Sequence, residues 1–183
     1  MRKTMLGAVL IELTLIALLT TGAFAQNNDS AYTKINLDND CSIIEADDFG
    51  ATFACPGYKG YPVMVAEGDL RMFVSYGLNS LNEVAAQQTL APFNTVGETL
   101  EWRLANYAKG WTPIATILRY YTDDGMGDKE QILVVTKVQQ GATCQIAHVN
   151  ASKYKNANQI ARDIADDMAE SFDCSNQPIV WGE

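Results

Sequence analysis

The chain has 183 residues, 48% of them hydrophobic, with a formal charge of −9 at pH 7 and one histidine. That length suffices for one domain with a substantial core. The acidic balance argues against nucleic acid and anionic lipid surfaces, which call for a basic patch, and leaves basic partners open; its plainer reading is solubility.

Residues 1–25 predict a secretory signal. Arg2 and Lys3 supply the positive start, Leu6 to Leu19 is largely apolar, and Ala23-Phe24-Ala25 fits small-x-small cleavage. Glu12 inside the apolar run argues against an uncleaved anchor, since a mid-bilayer carboxylate costs about 2.5–3.5 kcal/mol. No other long apolar run exists, so no membrane span is expected in the mature chain. Taking away Arg2, Lys3 and Glu12 leaves eleven basic and twenty-one acidic residues, a formal charge of −10. All four cysteines (Cys41, Cys55, Cys144 and Cys174) lie beyond the signal. An even count in an oxidising compartment predicts disulfides. With no C-x-x-C spacing and His148 as the sole histidine, neither a metal site nor a cofactor is expected.

Gln26–Ser30 is polar and expected to be disordered, leaving 31–183 as a single domain. Ala31–Leu37 has a weak strand pattern. Cys41–Ala46 and Ala51–Cys55 read as a hairpin about Asp47-Asp48-Phe49-Gly50, which sets Cys41 opposite Cys55 and predicts their bond. Pro56-Gly57-Tyr58-Lys59-Gly60-Tyr61-Pro62 is a rigid loop. Its tyrosines either rest on the core or form recognition anchors, and the first reading is preferred. Val63–Ala66 and Leu70–Tyr76 predict a hairpin about Glu67-Gly68-Asp69. Ser80-Leu81-Asn82-Glu83 has the capping-box pattern and predicts a short helix to Leu90, with Leu81, Val84 and Ala85 buried. Thr99–Ala105 and Ile114–Thr122 are further strands, with Tyr107–Trp111 a loop between them.

Gln131–Val138 and Thr143–Val149 are rich in Val, Ile and Thr and predict another hairpin. Ala157, Ile160, Ala161, Ile164, Ala165, Met168 and Phe172 then form one apolar stripe at the helical period, with Asn156 as N-cap. Arg162, Asp163, Asp166, Asp167 and Glu170 fall off the stripe and are expected in solvent. A seven-residue strand spans about 23 Å and a sixteen-residue helix about 24 Å. A helix folded back along the strand returns Cys174 to Cys144, which predicts that second disulfide. The expected fold is therefore α+β: an antiparallel sheet of hairpins packed against a long C-terminal helix, with one short mid-chain helix and two disulfides.

Chemistry has three candidate sites. Arg71, Arg103 and Arg119 stand in strand patterns, with Glu101 on the same side of its strand as Arg103. If those strands are neighbours, the group binds an anion bidentately; the plainer reading is cross-strand ion pairs. His148 is a general base only with a nucleophile or metal partner, and no G-x-S-x-G or H-E-x-x-H motif supplies one, so no catalytic residue is assigned. Asp123-Asp124-Gly125-Met126-Gly127-Asp128 with Glu130 is oxygen-rich, yet it lacks EF-hand spacing and reads as a hairpin tip.

The strings Cys55-Pro56-Gly57-Tyr58, Glu67-Gly68-Asp69-Leu70-Arg71, Glu101-Trp102-Arg103-Leu104, Ala115-Thr116-Ile117-Leu118-Arg119 and Ala157-Asn158-Gln159-Ile160-Ala161-Arg162 are similar to small exported proteins of Gram-negative bacteria with no assigned function. The resemblance implies the cell envelope and no active site. The resulting expectation is a non-enzymatic periplasmic or secreted domain that binds a protein or a small anionic ligand. Its alternatives are an inhibitor of a basic hydrolase such as lysozyme, and a small hydrolase using His148.

Overall fold

The computed structural model describes residues 28–182. The signal expected at 1–25 lies outside them, as do 26 and 27 of the stretch expected to be disordered. Asp29 and Ser30 of that stretch are not disordered but open strand β1 (Asp29–Lys34). Next come β2 (Ser42–Ala46), β3 (Gly50–Cys55), β4 (Val63–Gly68) and β5 (Arg71–Tyr76), then β6 (Phe93–Tyr107), β7 (Gly110–Asp123), β8 (Lys129–Lys137), β9 (Cys144–Asn150), helix α1 (Ala157–Met168) and β10 (Ile179–Trp181).

The α+β expectation is overturned. Of the described residues, 50% are strand and 12% helical. Two sheets form rather than one: a six-stranded sheet in the order β1-β6-β7-β8-β9-β10 and a four-stranded sheet β2-β3-β4-β5. The reason lies in strands buried on both faces. Along β6, Leu100, Trp102 and Leu104 point one way and Glu101, Arg103 and Ala105 the other, and all six are buried. Leu118 against Ile117, and Val134 against Val135, repeat this in β7 and β8. Two buried faces need two covers. The small sheet supplies one, giving a core of Val63, Val65, Val74 and Tyr76 with Leu100, Trp102, Leu118 and Val134. Helix α1 lies on the other, its Ala157, Ala161, Ile164 and Ala165 meeting Ile117, Leu133, Val135 and Ala147.

The helix is not long: it has twelve residues, and Asn156 makes no side-chain cap bond. Irregular turns after Met168 carry the chain to Cys174. The mid-chain helix is also absent, replaced by two 3₁₀ turns, Ser80–Asn82 and Val84–Gln87. Glu83 breaks it. Its backbone is extended, with ψ 155°, and its carboxylate accepts from the Gly141 and Thr143 amides instead of its own cap. Leu81 and Val84, expected inside, are exposed; Ala85 is buried.

Both disulfides are present, Cys41–Cys55 with Cα atoms 4.2 Å apart and Cys144–Cys174 at 5.7 Å. Such bonds form and persist in oxidising surroundings. No helix among the described residues is long and apolar enough to cross a membrane.

Candidate functional site

The arginine group divides between the sheets. Arg71 is in β5 of the small sheet and pairs with Asp69. Arg103 in β6 and Arg119 in β7 share the helix-facing side of the large sheet with Glu101, since Glu101 pairs with Ile117 and Arg103 with Ala115 in register. Arg103 is committed: its Nε and Nη2 donate to Asp166 Oδ1 and Oδ2 at 2.9 and 2.6 Å, and its Nη1 donates to Ser30 Oγ. Glu101 accepts from Arg162 Nε at 2.6 Å and from Ser30 Oγ at 2.6 Å. That bond raises the Arg162 pKa above its ordinary value. Arg162 and Asp166, expected in solvent, instead reach from α1 onto the sheet.

Arg119 bonds only neutral groups in this network, Gln131 Oε1 at 3.0 Å and Asn158 Oδ1 at 3.2 Å. It lines a recess of about 350 Å³ with Arg162, Glu98 and Glu101. An anion entering there meets two carboxylates as well as two guanidiniums. The anion reading thus rests on Arg119, without Arg71 or Arg103.

His148 faces the opposite side of the sheet from Glu101. Its Nε2 lies 2.7 Å from Gln145 Oε1, and burial pushes its pKa down to about 4. A neutral imidazole bound to an amide has no carboxylate to orient it as a base. In the acidic hairpin tip, Asp124 Oδ1 accepts the Met126, Gly127 and Asp128 amides, and Asp123 pairs with Lys129 at 2.8 Å. These oxygens hold the turn itself. Among the described residues no cluster of His, Cys, Asp or Glu is arranged for a metal.

The sequence does not show two clefts at opposite ends of the sandwich. At one end, a cleft of about 620 Å³ opens where five connections converge. The β3–β4 loop brings Tyr61, the exit of β5 brings Leu78 and Asn79, and the β6–β7 hairpin brings Tyr107 and Pro113. The β8–β9 turn adds Gln139 and Gln140, and the turn after α1 adds Glu170. Two buried charges build its wall. Glu83 accepts from Gly141 N at 2.7 Å, Thr143 N at 3.0 Å and Asn79 Nδ2 at 3.1 Å. Burial pushes its carboxyl up, and these donors outweigh that and leave it below the usual range. Lys137 Nζ donates to the Phe172 and Glu170 carbonyls at 2.9 and 3.3 Å.

The β3–β4 loop is anchored beneath this cleft. Tyr58, Tyr61 and Tyr76 surround Trp102 with ring centroids 6.2, 6.4 and 5.7 Å away. Gly57 permits this fold-back, because a Cβ there would lie 1.9 Å from the Tyr61 carbonyl oxygen. The only sequence cue to the cleft was that Pro- and Gly-rich loop. The second cleft, about 750 Å³, lies at the other end, where the β4–β5 and β7–β8 turns face the start of β6.

Comparison with protein-family models, curated proteins and solved structures gave no match to the chain.

Proposed function

We propose that the protein is a non-enzymatic binding domain exported to the periplasm of a Gram-negative bacterium. One observation carries the binding part: the cleft of about 620 Å³ walled by buried Glu83 and Lys137. Connections clustered on a rigid scaffold are where binding residues concentrate. The charges in its wall are held by amides and carbonyls, and Tyr61, Tyr107, Asn79, Gln139 and Gln140 line the rest. That lining suits a small polar ligand with an apolar face. The two disulfides and the N-terminal signal pattern support export, and the resemblance to small envelope proteins supports the periplasm. The hydrolase reading has no support at His148, whose partner is Gln145.

The experiment is native mass spectrometry of protein purified from its own periplasm. Expected is a mass about four hydrogens below the reduced mature chain, with a retained small molecule that Tyr107→Ala releases. A bare protein that remains bare when challenged with periplasmic extract overturns the reading.

A further inference from the structure

The second cleft has a chemistry of its own, beginning with a turn that breaks a local rule. Gly68 and Arg71 pair across the β4–β5 hairpin, so Asp69 and Leu70 are its two turn residues. Both have positive φ, 52° and 58°. Such turns favour Asn-Gly or Asp-Gly, and a leucine in the left-handed region is strained. The neighbouring Gly68, which the sequence suggested as the turn centre, lies in β4.

The strain gains the fold little burial, because Leu70 is 64% exposed. Nor is the turn loose. Asn94 N donates to the Leu70 carbonyl at 3.0 Å, Asn94 Oδ1 accepts the Met72 amide at 3.0 Å, and Asn94 itself is buried. Leu70 is held rigidly over a cleft whose apolar walls include Met72, Phe93 and Tyr121, the last two 41% and 44% exposed. Strained residues held by over-determined surroundings gather at binding sites.

The rim is acidic. Glu67, Asp123 and Glu130 line the cleft against Lys129, which is already paired with Asp123. Asp124 and Asp128 stand in the flanking turn. Glu130 Oε1 accepts from Asn150 Nδ2 at 2.8 Å and has Lys153 Nζ at 3.8 Å. An apolar floor inside a negative rim complements a partner that offers an aliphatic or aromatic side chain flanked by cations.

We propose that this cleft docks a segment of a basic protein, inserting an apolar side chain beside Leu70 and Phe93 and meeting Glu67 and Glu130 with lysine or arginine. The proposal rests on the reading of the protein as a binding domain but uses the opposite end of the sandwich.

The test titrates the full mature protein with a synthetic amphipathic peptide carrying leucine on one helical face and lysine on the other. Controls are the same peptide with glutamate for lysine, and oligolysine. Amide chemical shifts report the site. Expected is saturable binding with shifts centred on Leu70, Phe93 and Tyr121, weakened by salt and absent with the glutamate peptide. Leu70→Asn places a residue suited to positive φ in the turn, so its melting temperature holds or rises while affinity falls about tenfold. Glu67→Lys lowers affinity about as much. Equal binding of the glutamate peptide, binding by oligolysine as strong as by the leucine-lysine peptide, binding unaffected by both variants, or shifts centred elsewhere overturns the proposal. A ligand retained at Tyr107 with no shift at Leu70 sinks this inference alone; failure of both experiments sinks the binding reading with it.

Discussion

Arg103 and Asp166 meet through two parallel hydrogen bonds, 2.9 and 2.6 Å, across the interface of sheet and helix. Beside them Glu101 meets Arg162 through two more, 2.6 and 3.1 Å. The match is one of spacing. Residues i and i+2 of a strand lie about 6.6 Å apart, and four residues of helix rise about 6 Å. Glu101 and Arg103 carry charges in one order, Arg162 and Asp166 in the complementary order, so the helix fits in one direction.

The Arg103–Asp166 pair has exposures of 8% and 26%, so its loss should exceed that of a surface bridge. Asp166→Asn takes the bidentate counter-charge from a buried guanidinium, leaving it only Glu101 Oε1 at 3.8 Å, and should cost about 2–3 kcal/mol in urea unfolding. Replacing both partners by apolar residues, Arg103→Met with Asp166→Leu, should recover most of that loss. A double variant as unstable as Asp166→Asn would show that the cost lies in packing rather than in the stranded charge.

The far end of the same helix is fixed twice. Lys137 lies opposite Cys144 in the β8–β9 ladder; Cys144 is bonded to Cys174, and the Lys137 ammonium binds the carbonyls of Glu170 and Phe172. A cation at a helix C-terminus also meets the negative end of its dipole. Changing both Cys144 and Cys174 to serine should cost about 3 kcal/mol. In hydrogen exchange the amides of Ala165 and Ala169 should lose protection first, while those near Ile160 keep it. Uniform loss along the helix would mean that it unfolds as one unit and that the staple does not act locally.

What could be read in the sequence was local. Hairpins announced by turn residues, and the Cys41–Cys55 bond that follows from one of them, need only neighbours in the chain. The Cys144–Cys174 pairing came from an overlong helix, yet the return path was right because turns cover the remaining distance. Alternation shows which residues share a face of β6, and so sets Glu101 beside Arg103; that Arg119 faces the same way follows from the β6–β7 register. Alternation does not show what covers each face. Arg71 therefore joins them only if its strand is a neighbour, and it is not, since β5 belongs to the second sheet of a sandwich that the alternation does not reveal. Glu83 looked like a helix cap because its true partners, Gly141 and Thr143, lie about sixty residues away. The clefts were illegible for the same reason: each is assembled from ends of strands distant in the chain.

His148 supplies a pH test of that assembly. Burial lowers its pKa in the folded protein to about 4, against 6.5 for the free group. Between those values the unfolded chain binds a proton that the folded chain refuses, so stability is full above pH 6.5 and falls as pH drops toward 4. The whole shift corresponds to at most about 3 kcal/mol. His148→Gln keeps an amide able to bond Gln145 and removes the titration. It should flatten the decline between pH 6.5 and 5, a window above the range in which most carboxylates titrate. Below that window Glu83, whose folded pKa is depressed, adds stability that is lost as pH falls through it. Urea midpoints measured across the range separate the two: a His148→Gln variant with an unchanged slope from pH 6.5 to 5 would show that the imidazole is not held neutral, and that the face of β9 opposite α1 is wetter than its packing implies.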